Sequence, residues 1–100
     1  MTITEDRASE STTIKVEGRL DTTSAPDLEN RIRDVSHHCK VLILDLSAVE
    51  YISSAGLRVV LQTHKIMAGL RGKMIVKNPS TFCRQVFEAT GMDGVLSIEN

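Results

Sequence analysis

The hydropathy pattern of the chain points to an α/β domain with a mostly parallel, mixed sheet of four to five strands flanked by helices. Three observations carry that expectation. Short β-rich runs alternate with segments of helical periodicity, one run (VLILDL, residues 41–46) is almost unbrokenly apolar, and hydroxyl residues or glycines stand where helices would start and stop. With 100 residues, 41% of them hydrophobic and 25% charged, the chain has the size and make-up of one folded domain spanning residues 1–100.

Ile14 and Val16 alternate with Thr13, Lys15 and Glu17, the pattern of a strand from Thr12 to Gly18 with one buried face. A shorter strand from about Ile3 is expected to precede it as a hairpin. Ser24 with Asp27 then resembles a capping pair, Pro26 suits a first helical turn, and Ala25, Leu28, Ile32 and Val35 recur at helical spacing. Val41 to Leu46 is too short for a typical helix and reads as a central strand covered on both faces, which calls for helices on either side. Ser53 and Ser54 open a second helix, of about four turns, in which Leu57, Val60, Leu61, His64, Met67 and Ala68 share a face, ending near Gly69 to Gly72. Lys73 to Lys77 is another strand. Ser80 can cap a third helix carrying Phe82, Val86 and Phe87, and Gly91 can stop it before a last apolar segment, Val95 to Ile98. Such an alternation implies right-handed crossovers and places functional sites at the carboxyl ends of the strands, so the end of the 41–46 strand is where a site is expected.

A formal charge of −1, from 12 basic and 13 acidic residues, gives no broad attraction to nucleic acid or to an anionic membrane, so the expected partners are proteins. No apolar run approaches the roughly 20 residues of a bilayer span, and the first residues are polar and acidic, which together suggest a cytoplasmic location. Cys39 and Cys83 stand far apart without metal-ligand spacing, in keeping with reduced thiols. His37, His38 and Cys39 are neighbours, but adjacent helical positions point in different directions and do not share an ion, so no metal site is expected. Nothing resembles a P-loop or a dinucleotide-binding glycine motif, and no cofactor is expected.

Ser53 and Ser54 lie at a loop-to-helix junction, where free backbone N–H groups and the positive end of the helix dipole would accommodate a phosphate. Gly56, without a side chain, would let another chain approach closely. One of the serines can also be a plain N-cap, worth about 1 kcal/mol, and periodicity does not choose between the roles. Asp21 can begin a turn and cap the first helix, and Asp45, at the end of the central strand on the same side of the sheet, can satisfy loop amides; either could instead orient the hydroxyl or contact a protein partner. Hydrolase chemistry lacks its motif: no glycine stands two residues before either serine as a G-x-S-x-G elbow requires. A triad of Ser54, Asp45 and His64 would need His64 within hydrogen-bond reach, while helical rise separates it from Ser54 by about 15 Å. The chain is therefore expected not to be an enzyme.

The stretch VLILDLSAVEYISSAGLRVVL (residues 41–61), with VEGRLDTTSAPDL (16–28) upstream and FEATGMDGVLSI (87–98) downstream, resembles the STAS domain of bacterial anti-sigma factor antagonists. The likeness covers nearly the whole chain in the right order. It implies a partner switch that, when unmodified, binds an anti-sigma factor, typically a serine kinase of the histidine-kinase-like ATPase fold. Phosphorylation of a serine at the helix start breaks the complex, and a PP2C-type serine phosphatase restores it. The family's signature, Asp-Ser-Ser/Thr-Gly-Leu, laid on Ser53-Ser54-Ala55-Gly56-Leu57, puts Ser53 at the Asp place, Ser54 at the first hydroxyl and Ala55 at the second. Ser54 is then the expected phosphate acceptor, with Ser53 in reserve. Asp21 matches an acidic position near the acceptor, and Arg58 replaces a glycine or small residue and could contact the partner or the phosphate. The expected partner-binding residues are thus Asp21, Ser53, Ser54, Gly56 and Arg58. A STAS adaptor subunit that binds without being phosphorylated is the alternative.

Overall fold

A computed structural model describes residues 1–100 of the chain. The elements follow in the order β1 (Thr2–Arg7), β2 (Ser11–Leu20), α1 (Ala25–Val35), β3 (Val41–Ile52), α2 (Ser54–Gly69), β4 (Lys73–Lys77), α3 (Thr81–Thr90) and β5 (Ser97–Glu99), with 3-10 turns at Ser36–His38 and Met92–Gly94. The five strands lie side by side in sequence order; β1 is antiparallel to β2, and every other neighbouring pair is parallel. The expected mixed, mostly parallel sheet is therefore what forms.

A sheet whose parallel strands step across in one direction, each step a right-handed crossover, gathers its connecting helices on one face. Burial agrees. Ile14 and Val16 of β2, Leu42, Leu44 and Leu46 of β3, and Met74 and Val76 of β4 belong to a single core with Leu28, Ile32 and Val35 of α1, Val60 and Met67 of α2, and Cys83 and Phe87 of α3. Val41, Ile43 and Ile75, on the alternate positions, are only half-buried and stand outside that core. The cover expected on both faces of β3 is thus made on one. Two devices keep the other face in water: threonines and lysines between the apolar positions, and the row Lys15, Asp45, Lys77, Glu99, which strand register lines up with alternating charge.

Four local readings change. β3 runs on to Ile52 instead of ending at Leu46, because Val49, Tyr51 and Ile52 suit a strand and two register shifts in its pairing with β2, one at Leu46 and Ser47 and one at Glu50, absorb the extra residues. The buried face of α2 carries Gly56, Val59, Val60, Thr63 and Met67, while Leu57, Leu61 and His64 lie at its edge and Ala68 is exposed. Thr63 can be buried because its hydroxyl donates to the Val59 carbonyl at 2.7 Å. α3 inserts Cys83 and Phe87 and leaves Phe82 37% exposed, since positions four apart share a helical face and positions five apart do not. Finally, Leu96 is the buried member of the last segment, and Val95 faces solvent. Gly91 ends α3 in the left-handed conformation, φ 75°, as its position suggested.

Candidate functional site

Two chain segments come together at the carboxyl ends of β2 and β3. The turn after Leu20 is built around Asp21, whose Oδ1 accepts from the Thr23 hydroxyl at 2.7 Å, the Thr23 N–H at 3.0 Å and the Ser24 N–H at 3.2 Å. The Thr23 hydroxyl above all, with desolvation opposing and the two amides assisting, holds the Asp21 carboxyl below the usual carboxylate range. Its other oxygen faces Arg19, with Nε 3.8 Å away. Ser24 does not form the expected pair with Asp27: its hydroxyl donates to the Arg19 carbonyl at 2.7 Å and accepts from the Asp21 N–H at 2.9 Å, which closes the turn instead of capping α1.

The second segment is the junction of β3 and α2. The Ser53 N–H donates to the Leu20 carbonyl at 2.9 Å, so Ser53 stands beside the Asp21 turn. Ser53 is the N-cap of α2 in extended backbone, and its hydroxyl accepts from the Gly56 N–H at 3.3 Å. The two serines are thereby separated in role. Ser53 is half-buried and engaged, and Ser54, the first residue of α2, is exposed at the positive end of the helix. Arg58, four residues on, is exposed about one helical turn along the same side of α2.

Gly56 has a different reason from the one its sequence position suggested. A Cβ there would lie 2.8 Å from Leu20 Cγ and from the Leu20 carbonyl oxygen, and 2.9 Å from Ile52 Cγ1. The close approach is made by this chain's own Leu20, and Gly56 is buried rather than presented to a partner. Asp45 is likewise displaced from the junction: it lies within β3, not at its end, and its carboxylate accepts from the Ser47 N–H at 3.0 Å and hydroxyl at 2.7 Å. His64 stands ten residues along α2 from Ser54, about 15 Å of helical rise. No nucleophile–base pair is assembled from Ser54, Asp45 and His64. His37 and His38 are both exposed, the Cys39 thiol donates to the Val35 carbonyl at 3.5 Å, and no three His, Cys, Asp or Glu side chains are grouped to hold a metal ion.

One group escaped sequence reasoning. Beside the junction the Tyr51 ring lies under the Arg19 guanidinium, whose carbon is 4.3 Å from the ring centroid, and meets the Phe82 ring at 5.3 Å and 47°. The signals were there: Tyr51 alternates with the buried Ile52, and Phe82 is off the face defined by Cys83 and Phe87. The largest cavity, about 460 Å³ between α1 and α2, is lined by Ile32, Arg33, His37, Val59, Lys65 and Ile66 and includes neither serine. The junction is an open surface, suited to a macromolecular partner more than to a small substrate. No helix is long and apolar enough to cross a membrane.

Comparison with known proteins bears on the family and the fold. The STAS domain family model matches residues 2–100. BtrV, a candidate anti-sigma factor antagonist of Bordetella bronchiseptica, is 31% identical over 86 residues, covering 85% of this chain and 74% of its own. The crystal structure of an anti-sigma factor antagonist from Mycobacterium paratuberculosis superposes with a TM-score of 0.89 at 27% identity, over 98% of this chain and 84% of that one. The antagonist SpoIIAA of Bacillus shares the fold at 20% identity, with TM-scores of 0.84 for its unphosphorylated form (99% of this chain, 89% of that one) and 0.79 for its phosphorylated form (99% and 92%).

Proposed function

The chain belongs to the STAS domain family, and we propose that it acts there as an anti-sigma factor antagonist whose binding is switched by phosphorylation of Ser54. Unmodified, it binds an anti-sigma factor that is also a serine kinase of the histidine-kinase-like ATPase fold; the kinase phosphorylates Ser54 and lets go, and a PP2C-type phosphatase resets the switch. The relatives named as anti-sigma factor antagonists support the first half of this reading, and the phosphorylated form of SpoIIAA supports the second.

The observation that carries it is the division of labour at the start of α2. With the Ser53 hydroxyl held by the Gly56 amide, Ser54 is the exposed hydroxyl, and phosphorylating it breaks no cap. The added phosphate brings about −1.5 to −2 charges. On this chain the free N–H groups of the helix start and the Arg58 guanidinium stabilise that charge. Across the interface it meets a surface fitted to a neutral hydroxyl. Phosphorylation therefore costs the fold little and the complex much. Asp21, beside Ser53 and tied to its own turn, shapes the rim of the contact and is no proton carrier.

One observation favours a second reading. Ser53 stands where the family's signature has Asp, so the acceptor lacks its usual acidic neighbour, as suits an adaptor subunit that binds without modification. Intact mass and phosphopeptide mapping after incubation with ATP and the candidate kinase separate the two. The switch predicts one added phosphate, lost in Ser54→Ala, and a complex at least tenfold weaker for Ser54→Asp than for Ser54→Ala. Stable binding without phosphate, and equal affinity of both variants, would establish the adaptor.

A further inference from the structure

We infer that Arg19, Tyr51 and Phe82 form a second contact plate, beside the serine junction, on which the anti-sigma partner lays an apolar side chain flanked by a carboxylate. The inference rests on the partner-binding reading and adds to it a residue group that selects the partner through contacts other than the phosphorylated hydroxyl.

The argument begins with how the chain spends its aromatic residues. It has one Tyr, two Phe and no Trp. Phe87 fills the core, as a large apolar ring is expected to. The other two rings are kept out of it and meet at a tilt, centroids 5.3 Å apart and planes 47° from parallel, with Phe82 37% exposed. Arg19 completes the group: its guanidinium lies over the Tyr51 ring at 4.3 Å, yet its side chain remains 60% exposed. Arg and Tyr are residues that dominate binding energy at protein interfaces, and here each is already positioned by the other while still reaching solvent.

Position ties this group to the junction. Arg19 and Tyr51 are register partners on β2 and β3, the Leu20 carbonyl next in line accepts from Ser53, and the Arg19 guanidinium also faces Asp21 at 3.8 Å. Phe82 reaches the same place because the Ser80 N–H donates to the Leu46 carbonyl, which sets the start of α3 beside the part of β3 that extends past β4. The plate and the serines therefore form one continuous surface with two exposed cations, Arg19 and Arg58. A partner that meets it with an apolar side chain and carboxylates is complementary to it. The same carboxylates are repelled once Ser54 carries phosphate, so the plate's chemistry and the switch act in the same direction.

Binding of the wild-type chain, Phe82→Ala and Arg19→Glu to the anti-sigma kinase tests this, together with KM and kcat for phosphorylation of each. The expected result is about a tenfold or larger rise in Kd and KM for both variants, with kcat unchanged, because the plate docks the partner without touching the phosphoryl group. Arg19→Glu, at an exposed position, keeps the test decisive should Phe82→Ala lower the thermal midpoint. Wild-type binding with both variants within threefold of it overturns the plate and leaves the switch standing. No binding by the wild-type chain overturns both.

Discussion

At the start of α2, Ser53 accepts from the Gly56 amide at 3.3 Å, and Ser54 follows it into solvent; at the start of α3, Ser80 accepts from the Cys83 amide at 3.2 Å, and Thr81 follows it, also exposed. The two helix starts share a cap, a free hydroxyl and a dipole. What differs is the third helical position and the surroundings. In α3 that position is Cys83, whose side chain fills the core; in α2 it is Gly56, pressed against Leu20 and Ile52. Arg58 stands exposed four residues beyond Ser54, while Arg84, three beyond Thr81, is half-buried and bonded to the Asn100 side chain. A capped helix start with an exposed hydroxyl is thus a common part. It becomes a candidate switch where the fold sets a second turn and an uncommitted cation beside it.

The comparison can be broken most forcefully at that third position. Gly56→Cys, which copies the α3 arrangement into α2, places a side chain within contact-violating distance of the Leu20 carbonyl and is expected to cost about 1–3 kcal/mol. The thermal midpoint should fall by roughly 4–8 °C for each kcal/mol, read by circular dichroism. A smaller and equal effect is expected at the two caps. Ser53→Ala and Ser80→Ala should each lose about 1 kcal/mol in urea titrations, and a clear inequality would mean that the two starts are not built alike.

The smallest difference is one of pH. Asp21 braces the turn beside α2, and α3 has no acidic residue in its first turn. The folded Asp21 carboxyl titrates below its unfolded value, so its contribution is present in full above the ordinary carboxylate range and is lost as pH falls through the folded value. The stability gap between wild type and Asp21→Asn should therefore shrink as pH falls from about 5 towards the lower folded value, while the gap for Ser80→Ala stays constant.

The order of elements was legible because the periods of two and 3.6 are written in residues such as Ile14 and Val16 or Leu28, Ile32 and Val35. The serine junction was legible through its residues and their spacing. What was not legible depended on partners distant in sequence. Tyr51 and Ile52 look like a loop after Ser47 until Arg19 and Leu20 supply a neighbouring strand. Thr63 is the local exception: it looks like a surface residue, but its hydroxyl donates to the Val59 carbonyl one turn back and can be buried. The alternation in VLILDL is masked because Val41 and Ile43 are apolar on a face that carries no helix. Gly56 was correctly singled out for its missing side chain, but the neighbour that needs the space lies in β2.

The strand order of the sheet also bears on how the chain is made. Every strand pairs with the one synthesised just before it, so no strand has to be inserted between two that have already met. The residues of the Asp21 turn and of the serine junction are all synthesised before β4, and Phe82 follows with α3. A domain of this size folds as one cooperative unit, so what the strand order provides is a sheet in which every neighbour is already present when its partner is made.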